Sequence, residues 1–147
     1  MKAVQNLAAG FAGAIALNIL HESLKHLKGT PRIDRVGEEA LQKSLSTVNA
    51  EITGDKNLYL ATLGADVISN TIYYAAIGVG SPDQIFTRAI TLGLTAGAGA
   101  VELPSLMGLN DKPIAASTSK KTLTVGYYLF GALVTAGVLK LMQRSGK

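Results

Sequence analysis

The chain has 147 residues, a formal net charge of +4, and neither cysteine nor tryptophan. Hydrophobic residues make up 48% of it and charged residues only 16%, against about a quarter in an average soluble domain. The lack of cysteine excludes disulfides and thiolate metal sites. Because the charges cluster and leave long apolar intervals, the composition favours one all-α domain of membrane spans joined by polar segments.

Four apolar segments are long enough to cross a bilayer, which takes about 20 helical residues. They cover approximately residues 3–27, 58–79, 84–103 and 121–142. The first is rich in small residues, and the third carries the GxxxG pair Gly93 and Gly97, a packing motif of membrane helices. We therefore predict an integral membrane four-helix bundle. The same small-residue faces would permit a homo-oligomer.

The connector between the first two spans has the pattern of an amphipathic helix over residues 31–49. Apolar residues recur there at helical spacing and charged residues fill the other positions. The segment is too polar to span, so we predict that it lies at the membrane interface. The apolar positions are Ile33, Val36, Ala40, Leu41, Leu45 and Val48.

Capping signals predict where several helices begin and end. Thr30-Pro31 should open the connector helix, with threonine as the cap and proline in the first turn. Ser81-Pro82-Asp83-Gln84 reads as a capping box that opens the third span after a tight hairpin. Leu103-Pro104 should end or kink that span, with a loop over residues 105–119.

The distribution of lysine and arginine predicts how the chain is oriented in the membrane. Nine of them flank the side that holds the connector, residues 28–57, and the loop, residues 104–120, against five on the opposite side. Cytoplasmic loops carry the excess of these residues, so we expect both segments to be cytoplasmic. The expected location is a bacterial inner (plasma) membrane, with the lipid bilayer as partner.

Polar side chains from all four spans should meet on the connector side. Spans one and three run in the same direction, so their late residues share a side with the early residues of spans two and four. Asp66 lies about 12 Å into its span at 1.5 Å per residue. The predicted binding residues are Asn18, His21, Glu22, Asp66, Asn70, Glu102 and Tyr127.

Three functions fit this cluster of polar side chains. In each of them Asp66 should not face lipid, because an ionised side chain costs about 3 kcal/mol or more at the centre of a membrane helix. The working hypothesis is a polar intramembrane site that passes or binds protons, cations or a small polar ligand. An alternative is a divalent-metal site of a membrane-embedded enzyme that acts on a lipid-like substrate. Its candidate ligands are His21, Glu22, Asp66 and Glu102.

The third function is a non-catalytic assembly or scaffold subunit, in which the polar groups only bond one another.

Two observations limit the metal-site alternative and argue against a nucleic-acid partner. His21 and His26 are five residues apart, about 140° around a helix, and cannot both face one ion. The basic residues flank apolar segments and form no patch interleaved with aromatic residues, so we expect no nucleic-acid partner.

Overall fold

The computed structural model describes residues 2–146, which are helical without any strand. The predicted all-α class is therefore confirmed. Two single 3₁₀ turns, Ala76–Gly78 and Pro82–Gln84, form the hairpin between the third and fourth helices. The six helices are α1 (Lys2–Leu24), α2 (Ile33–Ser46), α3 (Asp55–Ala75), α4 (Ile85–Leu106), α5 (Lys112–Ala115) and α6 (Thr118–Ser145).

Three helices are long and apolar enough to cross a membrane: α1, α4 with the turn before it, and α6. By length and composition, these three helices fit the prediction of membrane-spanning helices. Helix α3 is 21 residues long, but polar side chains such as Asp66 and Asn70 lower its mean hydropathy below that of the other three.

The start of the connector helix differs from its prediction. Helix α1 ends at Leu24, and the Thr30 hydroxyl donates to the carbonyls of Leu24 and Leu27 at 2.8 and 2.7 Å. Thr30 thus closes the end of α1 instead of opening α2. Helix α2 begins later, at Ile33, with no side-chain cap. The capping prediction was wrong because the Thr30 hydroxyl bonds to carbonyls behind it, at the end of α1, and not to amides ahead of it.

Two other predicted boundaries also differ. Ser81 makes no capping hydrogen bond, and Pro82–Gln84 form a 3₁₀ turn before α4 starts at Ile85. Helix α4 continues through Pro104 to Leu106. Proline has no amide to donate to the carbonyl four residues before it, which weakens the helix, and α4 ends two residues later. The predicted loop after it contains the short helix α5.

The four long helices pack in a row in the order α3, α1, α6, α4. Helices α1 and α6 form the middle of the row, and α3 and α4 lie on its outside and scarcely touch each other. A hydrogen bond of 2.8 Å from the Tyr73 hydroxyl to the Leu92 carbonyl links the two outer helices. The predicted four-helix bundle is not confirmed, because the gap between α3 and α4 leaves one side of the row open.

Glycines allow the close packing of the row. A Cβ at Gly93 would lie 2.9 Å from Leu129 Cα, and one at Gly97 would lie 2.6 Å from Val125 Cα. Gly10 of α1 lies equally close to the backbone of α3 at Ala75. The small-residue faces that the sequence analysis offered for a homo-oligomer are thus used within one chain. The homo-oligomer itself stays a prediction.

The two ends of the row are built differently. At one end α2 packs beside α5, where Val36, Leu109 and Ile114 form a small second core and the Arg32 amide donates to the Pro113 carbonyl at 2.9 Å. We call this the connector end. At the other end the Lys140 ammonium donates to the Pro82 carbonyl at 2.8 Å. Helices α1 and α4 therefore finish at the connector end, where α3 and α6 begin.

Candidate functional site

A groove of about 1070 Å³ lies between α3 and α4. Helices α1 and α6 form its floor, and α2 closes it at the connector end. We call it the lateral groove. Its walls are mostly apolar, and the side between α3 and α4 is open. Typical apolar wall residues are Leu41, Leu63, Leu103, Met107 and Leu109.

The half-buried carboxylate of Asp66 and two amides lie together on the wall of the lateral groove. Asn18 of α1 and Asn70 of α3 each donate an amide hydrogen bond of 2.9 Å to Asp66, one to each carboxylate oxygen. Asn18 also donates to the Ala14 carbonyl at 2.9 Å, which fixes the direction of its amide. Three of the sequence-predicted residues are thus brought together. The carboxylate is oriented by neutral donors before any ligand arrives.

His21 lies at the connector end of the groove and faces other carboxylates. Only 3% of it is exposed. Its Nδ1 lies 3.5 Å from Glu22 Oε1, and its Nε2 lies 3.4 Å from Asp34 Oδ1 without forming a hydrogen bond. The His21 ring meets the edge of the Tyr127 ring, with centroids 6.3 Å apart. Tyr127 is buried beneath the site and does not line the groove, whereas its neighbour Tyr128 does.

Asp34 is a site residue that the sequence analysis missed. Arg32 holds it with two hydrogen bonds, Nε to Oδ1 at 2.9 Å and a guanidinium NH₂ to Oδ2 at 2.6 Å. Burial by itself would raise the pKa of Asp34, but the His21 ring and the Arg32 guanidinium outweigh it and hold that pKa well below its usual range. Its one local signal is its place in the first turn of an amphipathic helix. Nothing local indicates that this turn folds onto His21.

Glu22 and Lys25 form a second ion pair at the connector end. Lys25 Nζ lies 2.7 Å from Glu22 Oε2 and 4.6 Å from the centre of the Tyr59 ring. Lys25 follows the last residue of α1 and joins that end of the helix to the first turns of α3.

Glu102 is exposed where it lines the groove, and its carboxylate has no ion-pair or hydrogen-bond partner within residues 2–146. Over that same range, no three His, Asp or Glu side chains form a group able to hold a metal ion. The hypothesis of a divalent metal on His21, Glu22, Asp66 and Glu102 therefore gains no structural support and stays a prediction.

Two buried polar atoms at the groove have no hydrogen-bond partner. One is Nε2 of His21, and the other is the hydroxyl of Thr62, a residue that is 6% exposed. Both residues line the groove. Buried polar atoms normally have a partner. The Asp34 carboxylate lies 3.4 Å from His21 Nε2, so the Thr62 hydroxyl is the atom that can bond to a bound molecule. Thr62 carries no sequence signal, since threonine is common on packed helix faces.

The chain matches no protein-family model, no curated protein and no solved structure. The geometry and chemistry of the lateral groove are therefore the basis for inferring function.

Proposed function

We propose that the chain is a four-span membrane protein whose lateral groove binds a small ligand by a polar group placed at Asp66. Helix α3 is the fourth span in this proposal. At 1.5 Å per residue its 21 residues reach about 32 Å, close to the thickness of the hydrocarbon core. Its outer face carries Ile68 and Ile72, each 63% exposed, while Asp66 points away from that face toward Asn18.

The carboxylate of Asp66 is the observation that carries the proposal. An acid in the middle of a membrane helix is costly and is usually functional. A purely structural acid would be expected to have a basic partner, as Asp34 has Arg32. Asp66 has two amide donors and no cationic partner within residues 2–146, and it borders a groove large enough for a ligand.

The shape of the groove favours binding over an open channel. Beyond Asp66 the row is closed by Tyr73, which donates to the Leu92 carbonyl, and by Tyr74, which donates to the Tyr128 carbonyl at 2.7 Å. A buried core that includes Ile77, Ile85 and Leu139 lies in this half of the row. A ligand that reaches Asp66 therefore meets a closed end. We infer a binding protein, or a carrier that opens to one side at a time.

The excess of lysine and arginine on the connector side supports an orientation with that side in the cytoplasm of a bacterial cell. The connector end, which α2 closes, then faces the cytoplasm, and the gap between α3 and α4 opens toward lipid.

The test compares Asp66→Asn with Asp83→Asn, which removes an exposed acid from the hairpin at the other end. Purified proteins in liposomes are assayed for uptake of protons, sodium and methylammonium, and in detergent for the rise in Tm that each cation and a series of small amines and alcohols produces. We expect at least one response in the wild type, lowered about tenfold or more in Asp66→Asn and unchanged in Asp83→Asn.

A wild type that responds to none of these compounds would contradict the proposal. So would an Asp66→Asn variant that loses thermal stability but keeps every response. Either outcome would favour the non-catalytic scaffold function, in which Asp66 serves only to join α1 to α3.

A further inference from the structure

The charges that line the lateral groove are all of one sign. Within residues 2–146, four acidic residues line it and no lysine or arginine does, although the whole chain contains 14 lysines and arginines against 10 acids. From this and from its apolar walls, we propose that the lateral groove binds a cationic amphiphile, an amine or quaternary ammonium with a hydrocarbon tail, which reaches it from the bilayer. This inference depends on the proposed function and specifies its ligand.

The four acids do not contribute equally. Two of them already have a basic partner in the chain. The other two, Asp66 and Glu102, border the groove without a cation to neutralise them within residues 2–146. In a membrane such charges attract a positive group strongly, because the surroundings screen them poorly. The neutralised pairs are Asp34 with Arg32 and Glu22 with Lys25.

The size and walls of the groove argue against a bare ion as the ligand. One water molecule takes about 30 Å³ of liquid volume, so a proton or a metal ion would leave most of the 1070 Å³ unused. The walls are mostly apolar and would hold water poorly. A hydrocarbon chain fills such a space at little cost, and only its head needs polar partners.

The gap between α3 and α4 supplies the route. These outer helices scarcely touch, and each bears large apolar side chains on its outward face, such as Ile72 on α3 and Leu94 on α4. If both helices are spans, the gap opens into lipid, where an amphiphile is already concentrated. The tail can then remain in an apolar medium while the head moves to Asp66.

The unpaired Thr62 hydroxyl is an independent sign of a bound molecule. It is buried, its residue lines the groove, and it has no hydrogen-bond partner within residues 2–146. A buried polar group left unpaired costs stability unless a ligand or water satisfies it. Polar atoms of an ammonium lipid head beside its charge, such as a hydroxyl or an ester oxygen, match this need.

The experiment measures binding of three amphiphiles with the same tail: hexadecyltrimethylammonium, hexadecanol and hexadecyl sulfate. Each is titrated against the full chain in a non-ionic detergent, and native mass spectrometry gives the fraction bound. We expect the cation to bind about tenfold or more tightly than the alcohol and the sulfate. Asp66→Asn and Glu102→Gln should each weaken binding of the cation, while Asp83→Asn and Glu51→Gln should not.

A second pair of variants tests the tail. A Cβ added at Gly99 would meet only Leu103 within 4 Å, and Gly99 lines the groove. Gly99→Leu should therefore block binding without disturbing the packing. Gly64 lies on the outer face of α3, where an added Cβ would meet nothing within 4 Å, so Gly64→Leu is the matched control. Blocking should lower the bound fraction of all three amphiphiles.

The outcomes separate the two proposals. Equal binding of the three amphiphiles, with loss in Asp66→Asn, would overturn the cationic ligand and leave the proposed function standing. Binding insensitive to Asp66→Asn and to Gly99→Leu would overturn both. Failure of all three to bind would overturn the amphiphile, while the responses to small cations and amines would still decide the proposed function.

Discussion

The connector end of the groove depends on one side chain outside the membrane helices, Asp34. It joins α2 to His21 on α1 through a contact of 3.4 Å and is held by two hydrogen bonds from Arg32. The pKa of Asp34 is held below its usual range, so the folded protein binds this proton less readily than the unfolded chain does. Its stabilising effect is complete above about pH 4 and is lost as the pH falls.

This predicts an acid-sensitive stability that Asp34→Asn removes. At pH 6 the variant should have a lower Tm than the wild type, because the ion pair with Arg32 is gone. As the pH is lowered from 6 to 3, the Tm of the wild type should fall more steeply than that of the variant. Glu51→Gln, at an exposed loop acid, should follow the wild type. Parallel curves for wild type and Asp34→Asn would show that Asp34 does not stabilise the fold.

At the scale of the helices, pairing depends on where a glycine meets a neighbouring backbone. Gly97 of α4 faces Val125 of α6 at a distance that leaves no room for a methyl group. A Cβ added at Gly126 would meet nothing within 4 Å. The two glycines therefore have opposite roles although both lie inside long helices. Hydropathy alone cannot distinguish them.

Alanine substitutions at these two glycines should change stability in opposite directions. Gly97→Ala should lower the free energy of unfolding by about 1–3 kcal/mol, because the new Cβ would lie 2.6 Å from Val125 Cα and must push α4 from α6. Gly126→Ala should raise it by up to about 1 kcal/mol, since alanine favours a helix and meets no neighbour there. Unfolding by denaturant in detergent measures both. The same sign for the two would contradict the packing described for α4 and α6.

At the scale of the whole molecule, the number of spans decides where the polar segments lie. With four spans, Glu51 and Asn110 lie on one side of the membrane and Asp83 on the other. If α3 did not cross, Glu51 and Asp83 would share a side and Asn110 would lie opposite. The hydrogen bond of 3.0 Å from the Asn110 amide to Glu39, which joins the last loop to α2, favours the four-span arrangement.

The chain lacks cysteine, so single cysteines can map this arrangement directly. Each of Glu51→Cys, Asn110→Cys and Asp83→Cys is exposed to a membrane-impermeant thiol reagent in intact cells and again after permeabilisation. We expect Asp83→Cys to react in intact cells, and the other two only after permeabilisation. Reaction of Glu51→Cys together with Asp83→Cys would leave three spans and place α3 outside the bilayer.

The sequence by itself determined the local properties of this protein. Helix periodicity and runs of apolar residues indicated four long helices, an amphipathic connector helix and the direction of each helix, because these follow from neighbours within a few turns. Those directions also brought Asn18, Asp66 and Asn70 to one level. The capping predictions at Thr30 and Ser81 failed, because Thr30 bonds to carbonyls at the end of α1 and Ser81 makes no capping hydrogen bond.

Only the tertiary structure decided which helices touch. That α1 and α6 form the middle of the row, and that α3 and α4 leave a gap, depends on glycines such as Gly10 and Gly97 that fit one neighbouring backbone and not another. The lateral groove, and the roles of Asp34 and Thr62 in it, follow from that arrangement. These are contacts between residues far apart in the chain, set by shape, and hydropathy and spacing do not encode them.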